Sequence, residues 1–180
     1  MPAPMEGMRS ASPSPLAYLI TFRTYGTWLH GDPRGSVHRR ACVHGTPHYP
    51  PTPGLVRAEE RLLTHEPVRL DAVRRGIVAN TMRGVSRYRA WLLHALAVRV
   101  EHVHVVLTIA PDETPEQAMT TLKAWATRRM IEGGALPRGA RAWSRHGSTR
   151  YLWSPRSLDM ACRYVLEEQG EPLPEGESPR

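Results

Sequence analysis

The chain has 180 residues, 41% of them apolar and 23% charged, enough for one domain that buries a core without disulfides or a structural metal. Its two cysteines, Cys42 and Cys162, stand far apart with no signal-peptide pattern, and no apolar run approaches the roughly 20 residues of a membrane span. This excludes a disulfide scaffold and a membrane-spanning protein, and a cytoplasmic location is expected. The net charge of +7, carried by 24 cations among which Lys123 is the single lysine, favours a polyanionic partner, nucleic acid above all, and suits bidentate phosphate contacts.

Residues 1–15 carry four prolines and no apolar periodicity and read as a disordered leader; residues 171–180 read as a flexible tail. A single domain is therefore expected over 16–170. Ala17–Tyr25 (AYLITFRTY) alternates and is rich in β-branched and aromatic residues, the pattern of a strand. Residues 26–56 are dense in Gly, Pro and His and predict an irregular insertion. Helical spacing over 57–89, broken near Pro67, predicts two helices.

Trp91–Arg99 and His102–Ile109 are β-rich runs separated by Val100-Glu101 and read as an antiparallel hairpin, although the turn lacks the usual Gly or Asn. Thr114-Pro115-Glu116-Gln117 supplies an N-cap, a proline at the first helical position and a capping-box glutamine, opening a helix to about Ile131. Ser148–Trp153 predicts a short strand, and Ser154-Pro155 caps a last helix over 155–169 that ends at Gly170. This order predicts an α+β fold, an antiparallel sheet with helices against one face.

Two segments concentrate chemistry. In Glu101-His102-Val103-His104-Val105-Val106-Leu107, strand alternation projects His102 and His104 together while Val103, Val105 and Leu107 point into the core. Two imidazoles on one face can hold a metal, although with nine histidines in the chain a His-x-His triplet also arises by chance on a solvated strand face. In Arg163-Tyr164-Val165-Leu166-Glu167-Glu168-Gln169-Gly170, Tyr164 and Glu168 lie one helical turn apart, while Val165 and Leu166 can turn toward the sheet. Such a helix can present a nucleophile and a ligand together; taken alone, it equally describes a packed tyrosine and a solvated acidic end.

The segments AYLITFRTYGTW, EHVHVVL and RYVLEEQG occur in that order across 16–170. Together they resemble the single-tyrosine HUH transposases of the IS200/IS605 type, including the REP-associated tyrosine transposases. The resemblance implies a ferredoxin-like antiparallel sheet (the HUH endonuclease fold) whose His-x-His strand lies beside a tyrosine on a C-terminal helix. It further implies a metal-dependent endonuclease and strand transferase for single-stranded or hairpin DNA. In that chemistry Tyr164 is the nucleophile and forms a 5′-phosphotyrosine, and His102 and His104 hold Mg²⁺ or Mn²⁺. The family carries an amide about one turn after the tyrosine as third ligand. Here that position is Glu168, about 40° from Tyr164 around the helix, and the amide is Gln169, about 140° away; the ligand stays open between Glu168 and Gln169. Family members occur as dimers with shared sites and as monomers, so a homodimer is open too.

Arg145, His146, Arg150, Lys123 and Arg128, interleaved with Trp125, Trp143, Tyr151 and Trp153, are candidate DNA contacts and stacking platforms. Cys42, His44 and His48, with His38, offer a thiol and imidazoles without the spacing of a common closed zinc site. Two further readings follow: a non-catalytic nucleic-acid-binding regulator with the same fold, and a zinc-loop RNA-binding protein.

Overall fold

A computed structural model describes residues 14–33 and 51–167. The expectations for the leader, the tail, the Cys42, His44 and His48 loop and the Glu168 or Gln169 ligand lie outside these residues. Strand β1 (Ala17–Thr24) is followed by helices α1 (Pro53–Arg61) and α2 (Ala72–Tyr88), then by β2 (Leu92–Val98) and β3 (His102–Thr108). Helix α3 (Pro115–Glu132), strand β4 (Trp143–Leu152) and helix α4 (Pro155–Glu167) complete the described order. The four strands form one antiparallel sheet in the order β2-β3-β1-β4. With α2 and α3 as its two crossovers, this is the ferredoxin-like split βαβ arrangement, to which α4 is added. No helix among the described residues is long and apolar enough to cross a membrane.

The alternation of each strand divides the core in two. Ile20, Phe22, Val103, Val105 and Leu107 point to one face, where they pack with Val78 and Met82 of α2 and Leu122, Ala126 and Met130 of α3. Each large side chain buried this way contributes roughly 1.5–3 kcal/mol, so this layer supplies most of the hydrophobic stabilisation. The opposite face is built from small residues: Ala17, Ala95, Ala97 and Val106, with Leu152, receive Ala161 and Val165 of α4. A floor of alanines lets the helix lie close to the sheet.

Helices therefore cover both faces, whereas the sequence pattern suggested one. The correction comes from α4, whose apolar residues match the thin alanine face and not the filled α2–α3 layer. It also decides the fate of two neighbours: Val165 is fully buried, but Leu166 is 57% exposed and does not turn toward the sheet.

Most boundaries follow local chemistry. The capping box at α3 is complete, with Thr114 accepting from the Gln117 backbone N–H and the Gln117 side chain accepting from the Thr114 N–H. Ser154 caps α4 through the Ser157 N–H. The β2–β3 turn forms without Gly or Asn because distant groups satisfy its carbonyls: Leu70 N–H donates to Val100 O, and the Thr24 N–H and hydroxyl donate to Glu101 O. Arg69 also meets the Glu101 carboxylate at 2.6 Å.

Strand β4 starts at Trp143, five residues before the expected position. It is an edge strand, largely exposed, so its Ser, Arg and His residues face water and show no apolar alternation. A register shift between Phe22 and Thr24 of β1 further interrupts its pairing. Helix α1 begins at Pro53, inside the span expected to be irregular, and buries no residue. It is tethered by polar contacts, including Thr52 N–H to Gly31 O and His30 N–H to the Glu59 carboxylate. Gly31 has a φ of 87°, and a Cβ there would stand 2.7 Å from the Thr52 carbonyl, so this contact requires glycine.

Candidate active site

Strand β3 presents His102, His104 and Val106 to the α4 side of the sheet, because Val103, Val105 and Leu107 fill the other core. The two imidazole rings lie 4.8 Å apart between centroids at 76°. Helix α4, seated by Ala161 and Val165, brings the Tyr164 ring to 5.5 Å from His104, edge-on at 79°. Residues 60 positions apart in the chain thus converge through one helix-sheet contact. His104 is 6% exposed and Tyr164 is 37% exposed, which leaves the tyrosine accessible to a polymer while the imidazole beneath it is held in place.

Antiparallel pairing places Thr21 of β1 opposite His104 and Arg23 opposite His102. The Thr21 hydroxyl lies 2.7 Å from His104 Nδ1. In the tautomer whose Nδ1–H donates to Thr21, Nε2 carries the lone pair that a metal takes, so Thr21 is a built-in orienting partner of the kind that metal-binding histidines use. This pairing, with a second imidazole beside it, fits a divalent ion bound by nitrogen. Among the described residues no group of three His, Cys, Asp or Glu side chains forms, so a third protein ligand of those types would come from outside the described residues.

The candidate DNA contacts fall into two groups. Arg145, His146 and Arg150 are exposed on β4, and Arg128 is exposed on α3 with its guanidinium 5.4 Å from the Trp125 ring. Arg150 stands opposite Leu19, and Ser148 opposite Thr21, so β4 extends the same sheet face that carries the histidines. Lys123 is half-buried and points inward. Its ammonium donates to Ser144 O at 3.1 Å and His146 O at 3.2 Å and lies 5.5 Å from the Phe22 ring. Burial pushes it down to about 8.

The aromatic residues divide in the same way. Trp143 packs edge-on to Phe22 at 5.0 Å and donates its indole N–H to Lys123 O, whereas Tyr151 and Trp153 are exposed and stack at 6.0 Å. Thr21 and Arg23 were not singled out from the sequence. The alternation of β1 puts them on one face, but only the pairing register shows that this face is the histidine face.

The fold and site together define an α+β domain that poises a helix tyrosine over a strand-borne histidine pair. No protein-family model matches the sequence, and no curated protein matches it. Solved structures similar to this chain include a REP-associated tyrosine transposase bound to a REP hairpin, at 11% identity and a TM-score of 0.48, covering 89% of this chain and 70% of that one. Another is a protein assigned as a transposase from Deinococcus radiodurans R1, at 14% identity and a TM-score of 0.45, covering 89% of this chain and 95% of that one. At such identities function does not travel with fold and has to be argued from the side chains.

Proposed function

We propose that this protein is a metal-dependent endonuclease and strand transferase for single-stranded, hairpin-forming DNA, acting through a 5′-phosphotyrosine intermediate. The observation that carries the reading is the placement of Tyr164 against His104, with His102 beside it, on one sheet face.

Tyr164 Oη gives up its proton to solvent and attacks the scissile phosphorus in line, forming a phosphorus–oxygen bond to the tyrosine as the bond to the 3′ oxygen breaks; that oxygen takes a proton from solvent and leaves as a 3′ hydroxyl. A tyrosine titrates near 10 in water, so the attack at neutral pH draws on the charge around it. A divalent cation held by His102 and His104 would supply charge that stabilises the phosphate oxygens. Thr21 fixes the His104 ring, and α4 fixes the tyrosine, so the cation-holding imidazole and the nucleophile are both positioned before DNA arrives. Because the phosphodiester energy is retained in the tyrosine link, a DNA 3′ hydroxyl can reverse the step and join strands without a nucleotide cofactor.

The test is a denaturing-gel assay of hairpin-forming single-stranded oligonucleotides from the DNA flanking the gene, with Mn²⁺, with Mg²⁺ and with EDTA. The expected result is a metal-dependent covalent adduct that Tyr164→Phe abolishes while DNA binding persists. Binding without any adduct would instead make the chain a non-catalytic nucleic-acid-binding module.

A further inference from the structure

We infer that Arg23 grips the scissile phosphate: its guanidinium, held over the Trp28 indole, takes the non-bridging oxygens of single-stranded DNA beside His102. The identity of that phosphate rests on the strand-transferase reading above.

Position comes first. Arg23 is the direct cross-strand partner of His102 in the β1–β3 pair, and side chains so paired rise from the sheet with their Cβ atoms about 4.5–5.5 Å apart. Ala17 and Leu19 of β1 belong to the α4-side core, and Thr21 meets His104, so the odd-numbered side of β1 is the histidine side throughout. Arg23 is next in that series.

Its orientation is built by the turn that follows. The Thr27 hydroxyl donates to Thr24 O at 3.2 Å and meets the Thr24 hydroxyl at 2.9 Å, folding the chain back at the end of β1. Trp28 is thereby returned over Arg23, with the guanidinium carbon 3.2 Å from the ring centroid. Other arginines near aromatic rings, Arg128 at 5.4 Å, Arg89 at 5.6 Å and Arg141 at 6.0 Å, are more distant. Contact with the ring holds the guanidinium in place, and the planar fork of guanidinium N–H groups is what pairs with a phosphate.

Charge completes the argument. The guanidinium brings a permanent positive charge to the face that carries the histidine pair and so favours an anion there, and negative charge builds on the phosphate oxygens as Tyr164 attacks. A donor already fixed in place stabilises that charge without reorganising. Arg23 then acts on the transferred phosphate, and Trp28 is a positioning residue acting through it.

The experiment uses two substitutions. Arg23→Met keeps an aliphatic stem on Trp28 and removes the charge; Arg23→Lys keeps the charge and removes the flat fork. In a Tyr164→Phe background with EDTA, binding of the same hairpin oligonucleotides is measured across a salt series. Arg23→Met is expected to reduce the slope of log affinity against log salt by about 0.7, one phosphate contact on a single strand, and Arg23→Lys to keep it.

With Tyr164 intact and Mn²⁺ present, adduct formation is expected to slow on the order of 10²- to 10³-fold in Arg23→Met, with partial recovery in Arg23→Lys. Trp28→Phe should retain the rate and Trp28→Ala lose it. A folded Arg23→Met protein with parental slope and rate overturns the inference. If that variant does not fold, an Arg23→Lys protein with the wild-type adduct rate overturns it. If the parent forms no adduct but Arg23→Met still lowers the slope, strand transfer falls and the phosphate contact stands.

Discussion

The Tyr164 ring meets the His104 ring edge-on, 5.5 Å away, across the contact between α4 and β3. The contact depends on how closely the helix can approach, which is set by the alanine floor beneath Ala161 and Val165. This layer is thin, so α4 docking is the part of the fold most easily loosened.

Val165→Ala removes two methyl groups from a fully buried position and is expected to cost about 2 kcal/mol. Because the loss falls on the docking of α4, adduct formation should drop by more than global unfolding explains. Urea denaturation compared with adduct rate under folding conditions checks this; a stability loss with an unchanged rate would contradict it.

Thr21→Val preserves the shape of the side chain and removes the hydroxyl 2.7 Å from His104 Nδ1. Loss of an orienting partner of this kind is expected to weaken Mn²⁺ binding by roughly 10- to 100-fold, read by calorimetric titration. Thr21→Ser, which keeps the hydroxyl, should restore the affinity.

Gly147→Ala tests the β1–β4 seam. A Cβ at Gly147 would stand 2.5 Å from both the Thr21 carbonyl oxygen and Met119 Sδ. Methionine can swing aside, but the carbonyl belongs to the sheet, so β4 must move. A destabilisation of roughly 1–3 kcal/mol is expected. Since Thr21 also holds His104, Mn²⁺ affinity should fall along with the melting temperature, whereas equal melting and affinity would show that the seam yields freely.

Lys123 sets a pH dependence. Its ammonium is pushed by burial from the ordinary 10.5 down to about 8. Between those values the unfolded chain holds a proton that the folded chain has released, so stability rises with pH across that window; below about 8 both states are charged and the folded state bears the whole desolvation cost. The stability of the wild type relative to Lys123→Met should therefore increase from pH 8 toward 10.5 and level off below 8. Urea unfolding of both proteins across this range measures it, and a flat difference would mean that the ammonium is well solvated.

Much of this architecture is written locally. The capping box at Thr114, the proline and serine that open α4, and the alternation of AYLITFRT and HVHVVLT each act within a few residues, and those elements appear where the pattern puts them. The same alternation puts His102 and His104 on one face, since a strand has only two. The first half of strand β4 is not legible in the sequence because an exposed edge has no apolar period to display, and the exposure of Leu166 is not legible because a helix pattern does not say how wide its receiving surface is.

The remainder depended on contacts between distant segments. Thr21 reaches His104 across 83 positions, Arg23 reaches His102 only through the β1–β3 register, and Lys123 reaches the β4 carbonyls only after α3 has packed on the sheet. No local period encodes a register or selects a face; these follow from which apolar surfaces fill one another. Residue types, element order and the paired histidines were thus legible in the chain itself. Their meeting with Tyr164, Thr21 and Arg23 was decided by tertiary packing, because the free energy that seats α4 on the alanine face comes from burying surfaces that are separate in sequence.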